Sequence, residues 1–281
     1  MNVSLTKHET QGPPALQQRF DRYYRDYYNE EASEYDKVRF GSSNGSNVSK
    51  KSDEGDVSAS EWAEQAVIYN LLGLSAGQSV LDVPAGTGRI AAYLGERGLR
   101  VTALDLTENM LLEAQRRAHE AGLEEMSCVQ GNARQLPFES ETFDGLICNR
   151  FFHLLPVFLH RPFLLDMWRV VRPGGVLLVQ FRSALTGGGL VWLHELLRRY
   201  RQGRKPRYYL WPHQMNALFD QIGGMEDIES LSLHGISPPG VRFIRGRFPQ
   251  AATTLEEITR DGSHTFLTHR RIFVRVVKRK A

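Results

Sequence analysis

The chain has only two cysteines in 281 residues, Cys128 and Cys148, and their spacing offers neither a zinc-ligand motif nor a disulfide framework. No stretch approaches the ~18–20 consecutive apolar residues that a membrane span requires. The opening residues, MNVSLTKHETQGPPA, lack the apolar core of a secretory signal. A charge bias is missing too: 35 Lys and Arg against 32 Asp and Glu leave +3, too little by itself to imply nucleic acid. These absences point to a reduced, cytoplasmic, soluble protein. What is present agrees, because 41% hydrophobic and 24% charged residues make an ordinary globular composition. A chain of this length buries roughly three-quarters of its unfolded surface, enough to hold a core without metal or disulfide.

No internal repeat is visible. Residues 1–15 are polar and contain Pro13-Pro14, as a loose tail does. Phe20, Tyr23, Tyr24, Tyr27 and Tyr28 follow at helical spacing, an aromatic stripe that fits a helix lying on an apolar surface. Residues 41–60 carry seven serines and no aromatic, which predicts a flexible surface segment. A helical pattern resumes at Glu61, with Trp62, Ala66, Ile68, Tyr69 and Leu72, and stops near Gly73. Residues 1–60 therefore read as an N-terminal extension and residues 61–281 as one domain.

Strands and helices then alternate. Strands are expected at Ser79–Val83, Arg100–Leu104, Met126–Val129, Thr142–Cys148 and Val176–Phe181. Helices are expected at Gly88–Arg97, at Thr107–Ala121 with Thr107 as its cap and Gly122 past its end, and at Arg161–Val171. Such alternation means right-handed βαβ units around a mainly parallel sheet, an α/β Rossmann-like doubly wound fold. Further on, Leu190–Tyr200 and Trp211–Ile222 read as helices, Met225–Leu233 as a strand, and Arg271–Val277 as a final, antiparallel strand near a sheet edge.

The chemistry concentrates in VLDVPAGTGRIAAYLGERGLRVTALDLTENML, residues 80–111. A hydrophobic strand runs into Asp82, and the small-residue turn Ala85-Gly86-Thr87-Gly88 opens a helix. Glycine there lets the backbone turn tightly and a ligand approach closely. Asp105 ends the next strand, 23 positions after Asp82, where a carboxylate can accept both hydroxyl protons of a ribose. Gly86 to Ala91 also satisfies the loose dinucleotide pattern G-x-G-x-x-A. A dinucleotide would set a pyrophosphate on this turn, however, and Asp82 would oppose it. The ammonium and sulfonium of S-adenosylmethionine are cations that a carboxylate favours.

With these motifs the sequence resembles the class I S-adenosylmethionine-dependent methyltransferases, in particular the methyltransferase-11/25-like small-molecule branch. The resemblance covers roughly residues 79–181. LDVPAGTGR matches the glycine-rich first motif and LDLTENML the ribose-binding strand with its helix. GNARQLPF, FDGLICNRFFHLL and RVVRPGGVLLV resemble the adenine-site loop, the fourth strand with its loop, and the turn into the fifth strand. It implies a seven-stranded sheet of order 3-2-1-4-5-7-6 with the last strand antiparallel. In that order, Cys128 and Cys148 lie about 14 Å apart and cannot bond; both read as buried small apolar residues.

The resemblance also assigns residues. Asp82 would orient the loop and the methionine ammonium, while Ala85, Gly86, Thr87, Gly88 and Arg89 form the cofactor turn. Asp105 would take the ribose, Leu106 an adenine face, and Asn132 and Ala133 the adenine edge. Asn149 and Arg150 would face the methionine end and the substrate. Pro84 replaces the usual first glycine, and Asn132 stands where many relatives carry an aspartate; its amide oxygen can accept the same hydrogen bond.

Methyl transfer needs the acceptor held in near-attack contact and water excluded, and a general base only if the acceptor arrives protonated. His153, in the loop after the fourth strand, is the candidate base; the other reading is a loop histidine bonded to backbone. Tyr24 and Tyr28 could contribute a lid over the sulfonium, or simply pack on the sheet. Tyr35 and Arg39, in EYDKVRFG, resemble an element that precedes the core in this family. Cover segments for the acceptor are expected at 182–210 and 234–268. The first holds seven basic residues and one acid, Glu195, and reads either as a solvated face or as a membrane-surface or anion patch. The expected acceptor is a small-molecule or lipid-like nucleophile through oxygen, nitrogen or carbon, with no nucleic-acid partner and no metal. A non-catalytic S-adenosylmethionine-binding regulator and an NAD(P)-dependent oxidoreductase are the alternatives.

Overall fold

A computed structural model describes residues 22, 64–184, 190–201, 207–219, 228–236 and 271–280. The aromatic stripe, the serine-rich segment, Trp62, Tyr24, Tyr28, Tyr35, Arg39 and most of 234–268 lie outside the described residues.

The described chain begins in helix α1, residues 64–72, which ends as expected where Gly73 takes a positive φ of 62°. Then follow β1 (Ser79–Asp82), α2 (Arg89–Gly95), β2 (Arg100–Asp105), α3 (Glu108–Glu120), β3 (Ser127–Gln130) and β4 (Phe143–Cys148). After β4, two short 3₁₀ turns lead into α4 (His160–Val170) and the long β5 (Val171–Arg182). Helices α5 (Leu190–Arg201) and α6 (Pro212–Phe219) precede β6 (Ile228–Ile236) and β7 (Arg271–Lys278). The sheet runs β3-β2-β1-β4-β5-β7-β6, parallel from β3 through β5, with β7 antiparallel to both of its neighbours. The expected order and the antiparallel last strand are both found.

Several boundaries moved for physical reasons. The turn expected before the fifth strand is absorbed into it: Val171 already pairs with Phe143, and an irregularity follows before Gly145 meets Val176. Gly175 fits there because a Cβ would come within 2.8 Å of the Asp144 carbonyl oxygen. Thr107 holds the N-cap position of α3 without capping it; its hydroxyl donates instead to Asp105 at 2.7 Å. The two cysteines are free, as expected, but only Cys148 is buried; Cys128 is half-buried.

Alternation along each central strand divides the apolar side chains between two faces. Leu81, Leu146, Leu177 and Val179 pack with Phe163, Leu164 and Met167 of α4. Val80, Ile147, Val176 and Leu178 pack with Ile68 and Leu72 of α1 and Ala91 and Leu94 of α2. Three layers result, and both faces of the sheet are covered. No helix among the described residues is long and apolar enough to cross a membrane. The connections reverse direction between β1 and β4, and a ligand crevice forms at the carboxyl ends of strands at such a point.

Candidate active site

That crevice exists. Its floor is made by the ends of β1, β2 and β4, and its walls include Pro84, Ala85, Gly86, Thr87, Arg89, Leu106, Asn149 and Arg150 around Asp82 and Asp105. Ile90, Thr107, Met110, Phe151 and Leu154 add apolar and polar wall that the motifs did not single out, and Glu64 and Gln65 of α1 close one side.

Local bonding explains the shape of the glycine turn. The Ala85 N–H donates to the Leu104 carbonyl at 2.9 Å, tying the turn to β2. The Gly86 N–H donates to Asp105 Oδ2 at 2.8 Å, and the Arg117 side chain donates to the Thr87 carbonyl at 3.0 Å. Gly86 (φ 55°) and Gly88 (φ 73°) both take left-handed backbone, but they face different neighbours. A Cβ on Gly86 would meet open space, on the ligand side. One on Gly88 would lie 2.7 Å from the Ala114 Cβ, so Gly88 is what lets α2 pack on α3; it does not line the crevice.

The two carboxylates differ sharply. Asp105 is buried and accepts from the Gly86 N–H, the Thr107 N–H at 3.0 Å and the Thr107 hydroxyl. Burial pushes its carboxyl above the ordinary value, and the bonds from Thr107, Gly86 and the Leu106 N–H oppose that push. Asp82 is only 1% exposed, and its Oδ2 has no hydrogen-bond partner. Burial drives its carboxyl up to about 8, against a single opposing bond from the Ala91 N–H and with a further push from Asp105. Asn149 Oδ1, one strand away at the end of β4, is likewise buried with no partner. Asp82 and Asn149, at neighbouring strand ends, both line the crevice and each keeps a buried oxygen without a donor, which is costly unless a ligand supplies the donors.

Beside them sits a charged cluster that sequence reasoning missed. Glu64, 4% exposed, accepts from Gln180 of β5 at 3.0 Å and Arg271 of β7 at 2.9 Å, and its second oxygen accepts from Arg150. Burial alone would raise the Glu64 carboxyl; the Arg150 and Arg271 guanidiniums hold it below its ordinary value. Arg150 has a positive φ of 56°, an uncommon backbone for a side-chain-bearing residue and one that clusters at functional sites. In sequence Glu64 looks like any acid on an amphipathic helix, and no spacing rule links it to residues 86, 116 and 207 positions away.

Besides Gly88, three expected positions lie elsewhere. Asn132 and Ala133 do not line the crevice. The Asn132 side-chain oxygen instead accepts from the Arg134 N–H at 2.9 Å, a local turn bond. His153 is buried behind the wall, in the 3₁₀ turn Phe152–Leu154, with its Nε2 2.7 Å from an Arg207 guanidinium nitrogen. A guanidinium only donates, so this nitrogen accepts and is not available as a base in this arrangement. His160, the other histidine of this region, donates from Nε2 to the Phe152 and Leu155 carbonyls, 3.0 Å each, and so pins the loop after β4. No cluster of His, Cys, Asp and Glu among the described residues could hold a metal ion.

The comparison with known proteins decides the family. The methyltransferase domain family matches residues 80–175. A demethylmenaquinone methyltransferase of Bacillus cereus (strain B4264) is 32% identical over 196 residues, 68% of this chain and 75% of the relative. The chain belongs to the class I S-adenosylmethionine-dependent methyltransferase family. A ubiquinone/menaquinone biosynthesis C-methyltransferase UbiE of Paracoccus denitrificans is 40% identical over 123 residues. That match spans 42% of this chain and 48% of the relative, so the chain covers about half the length of that protein. Among solved structures, the magnesium protoporphyrin IX methyltransferase of Synechocystis, with bound SAH, shares the fold with a TM-score of 0.62 at 14% identity. That overlap covers 93% of this chain and 100% of the other. The matched family segment runs from β1 into the start of β5, so it contains Asp82, Asp105, Asn149 and Arg150 but not Glu64.

Proposed function

We propose that this chain transfers a methyl group from S-adenosylmethionine to a small-molecule, lipid-like acceptor in the cytoplasm, using one domain over residues 61–281 with cover segments near 182–210 and 234–268. The observation that carries the reading is the pair of unpartnered acceptors, Asp82 Oδ2 and Asn149 Oδ1, in one buried crevice. A ligand ammonium brings three donors and a positive charge, which answers both atoms at once. A pyrophosphate brings neither, and this weighs against the dinucleotide alternative.

The bound cofactor would supply a carbon made electrophilic by a sulfonium. The chain's own residues do the rest. Asp82 and Asn149 would hold the ammonium, with Asp82 ionising as the cation arrives. Arg150, set by Glu64, would meet the carboxylate of the same amino-acid end. Asp105 takes four protein donors, from Gly86, Leu106 and twice from Thr107, so a ribose hydroxyl would share one of its oxygens with them. Leu106 would cover an adenine face, and Met110, Phe151 and Leu154 would help exclude water from the crevice. Tyr24, Tyr28, Tyr35 and Arg39 of the N-terminal segment remain the proposed cover on the acceptor side. With the His153 Nε2 engaged by Arg207, the reading favours an acceptor that reaches the crevice already nucleophilic.

The quinone methyltransferases among the relatives motivate the lipid-like acceptor. Such an acceptor would bring the chain to a membrane surface, with the basic segment 182–210 facing it. The test is a labelled-methyl transfer assay on demethylated quinone precursors and on fractionated extract, with calorimetry for S-adenosylhomocysteine and NAD(P) in parallel. Methyl transfer with binding of the nucleoside alone supports the reading. Nucleoside binding without turnover on any acceptor would leave a regulator, and NAD(P) binding would mark an oxidoreductase.

A further inference from the structure

Most of the large apolar side chains that stand exposed among the described residues belong to one helix. On α5, Leu193, Leu196, Leu197 and Tyr200 are 44%, 36%, 49% and 84% exposed. At 100° per residue these four positions fall within an arc of about 100°, a single continuous stripe. His194, Arg198 and Arg201 are exposed as well, and the same helical arithmetic sets them together on one flank of the stripe. A helix that buried this stripe in its own core would show it covered, and a solvated helix would not repeat leucine at i, i+3 and i+4.

We propose that α5 is a membrane-surface helix that docks the protein on an anionic phospholipid bilayer. This rests on the lipid-acceptor reading above for its purpose, though its physical basis is separate. Two observations choose a bilayer over a protein partner. The described flank of the stripe carries His194, Arg198 and Arg201 and no acid, and segment 182–210 carries seven basic residues against the single Glu195; this is the charge complement of an anionic headgroup layer. The apolar part is narrow, about one helix face, which suits partial insertion into the headgroup–acyl boundary better than a stable protein interface. Position serves the purpose as well. The chain leaves β5 toward α5 at Arg182, on the sheet edge where β1, β2 and β4 end at the crevice, so a docked helix would turn that edge toward the lipid.

The experiment is flotation of the full chain with vesicles of phosphatidylcholine alone and of phosphatidylcholine with about one-third phosphatidylglycerol. Binding is expected only to the anionic vesicles, weakening as salt rises. The double variant Leu193→Glu/Leu197→Glu should lose about tenfold or more in vesicle affinity. Arg198→Ala/Arg201→Ala should lose the preference for anionic lipid. Affinity for S-adenosylhomocysteine should stay unchanged in both, since neither pair lines the crevice; this control reports the functional reading independently. Absence of wild-type binding to anionic vesicles would overturn the proposal, as would leucine variants that float like wild type. So would light scattering showing a dimer that the leucine variants dissociate, because the stripe would then be an interface between copies of the chain.

Discussion

Asp82 and Asp105 are the same residue type at the ends of adjacent parallel strands, 23 positions apart, yet the fold treats them in opposite ways. Asp105 is saturated from within: its oxygens hold the glycine turn through Gly86 and the start of α3 through Thr107. Asp82 is buried more deeply and left with an unpartnered oxygen, so its ionised form is disfavoured until a donor arrives. On the proposed function, one carboxylate would build the nucleoside end of the crevice and the other would receive the amino-acid end. Counting hydrogen bonds separates scaffold from receptor where residue identity cannot.

The sharpest way to break that contrast is to remove each acid in turn. Asp82→Asn should weaken binding of S-adenosylhomocysteine between about tenfold and a hundredfold, the range of a lost charge-assisted hydrogen bond, while the melting temperature holds or rises. Asp105→Ala should lower the melting temperature by about 5–10 °C, because buried N–H groups of Gly86 and Thr107 lose their acceptor at about 1–3 kcal/mol each. If calorimetry and thermal melts gave the two variants the same profile, the division into receptor and scaffold would be wrong.

Glu64→Gln refines the amino-acid end. With its charge gone, Arg150 is no longer held, and affinity for S-adenosylhomocysteine should fall about tenfold. Affinity for 5′-methylthioadenosine, which lacks the amino acid, should change less than about twofold. Equal losses for both ligands would make Glu64 a general support of the fold rather than a positioning residue.

The remaining effect, on stability against pH rather than on binding, belongs to His160. Burial lowers its imidazole to about 4, against the support of the Leu155 and Phe152 carbonyls. Its contribution is fully present above the unfolded value of about 6.5 and is lost as pH falls from there toward 4. Acid titration of stability should show a loss of about 2 kcal/mol from this group by pH 5, and His160→Gln should flatten that slope.

Much of this was legible in the chain itself, for identifiable reasons. Short, continuous apolar runs such as Ser79–Val83 and Val176–Phe181, alternating with helical patterns, demand the sheet, and a glycine turn between two strand-end aspartates marks the crevice. What stayed hidden depends on contacts across long sequence separation. Glu64 meets Arg150, Gln180 and Arg271 only because α1 lies over the carboxyl ends of β4 and β5 and the amino end of the antiparallel β7. Thr107 stands at an N-cap without accepting from the helix N–H groups, because its hydroxyl is turned to donate to the buried Asp105 carboxylate. Asn132 and His153 sit at motif positions, yet local partners, the Arg134 N–H and the Arg207 guanidinium, occupy them.

The most direct test counts protons. Calorimetry of S-adenosylhomocysteine binding at pH 7, repeated in buffers of different ionisation enthalpy, should report release of about one proton, because a carboxyl near 8 must ionise to receive the ammonium. The release should disappear in Asp82→Asn. Binding of full strength with no proton released by the wild-type protein would contradict the account.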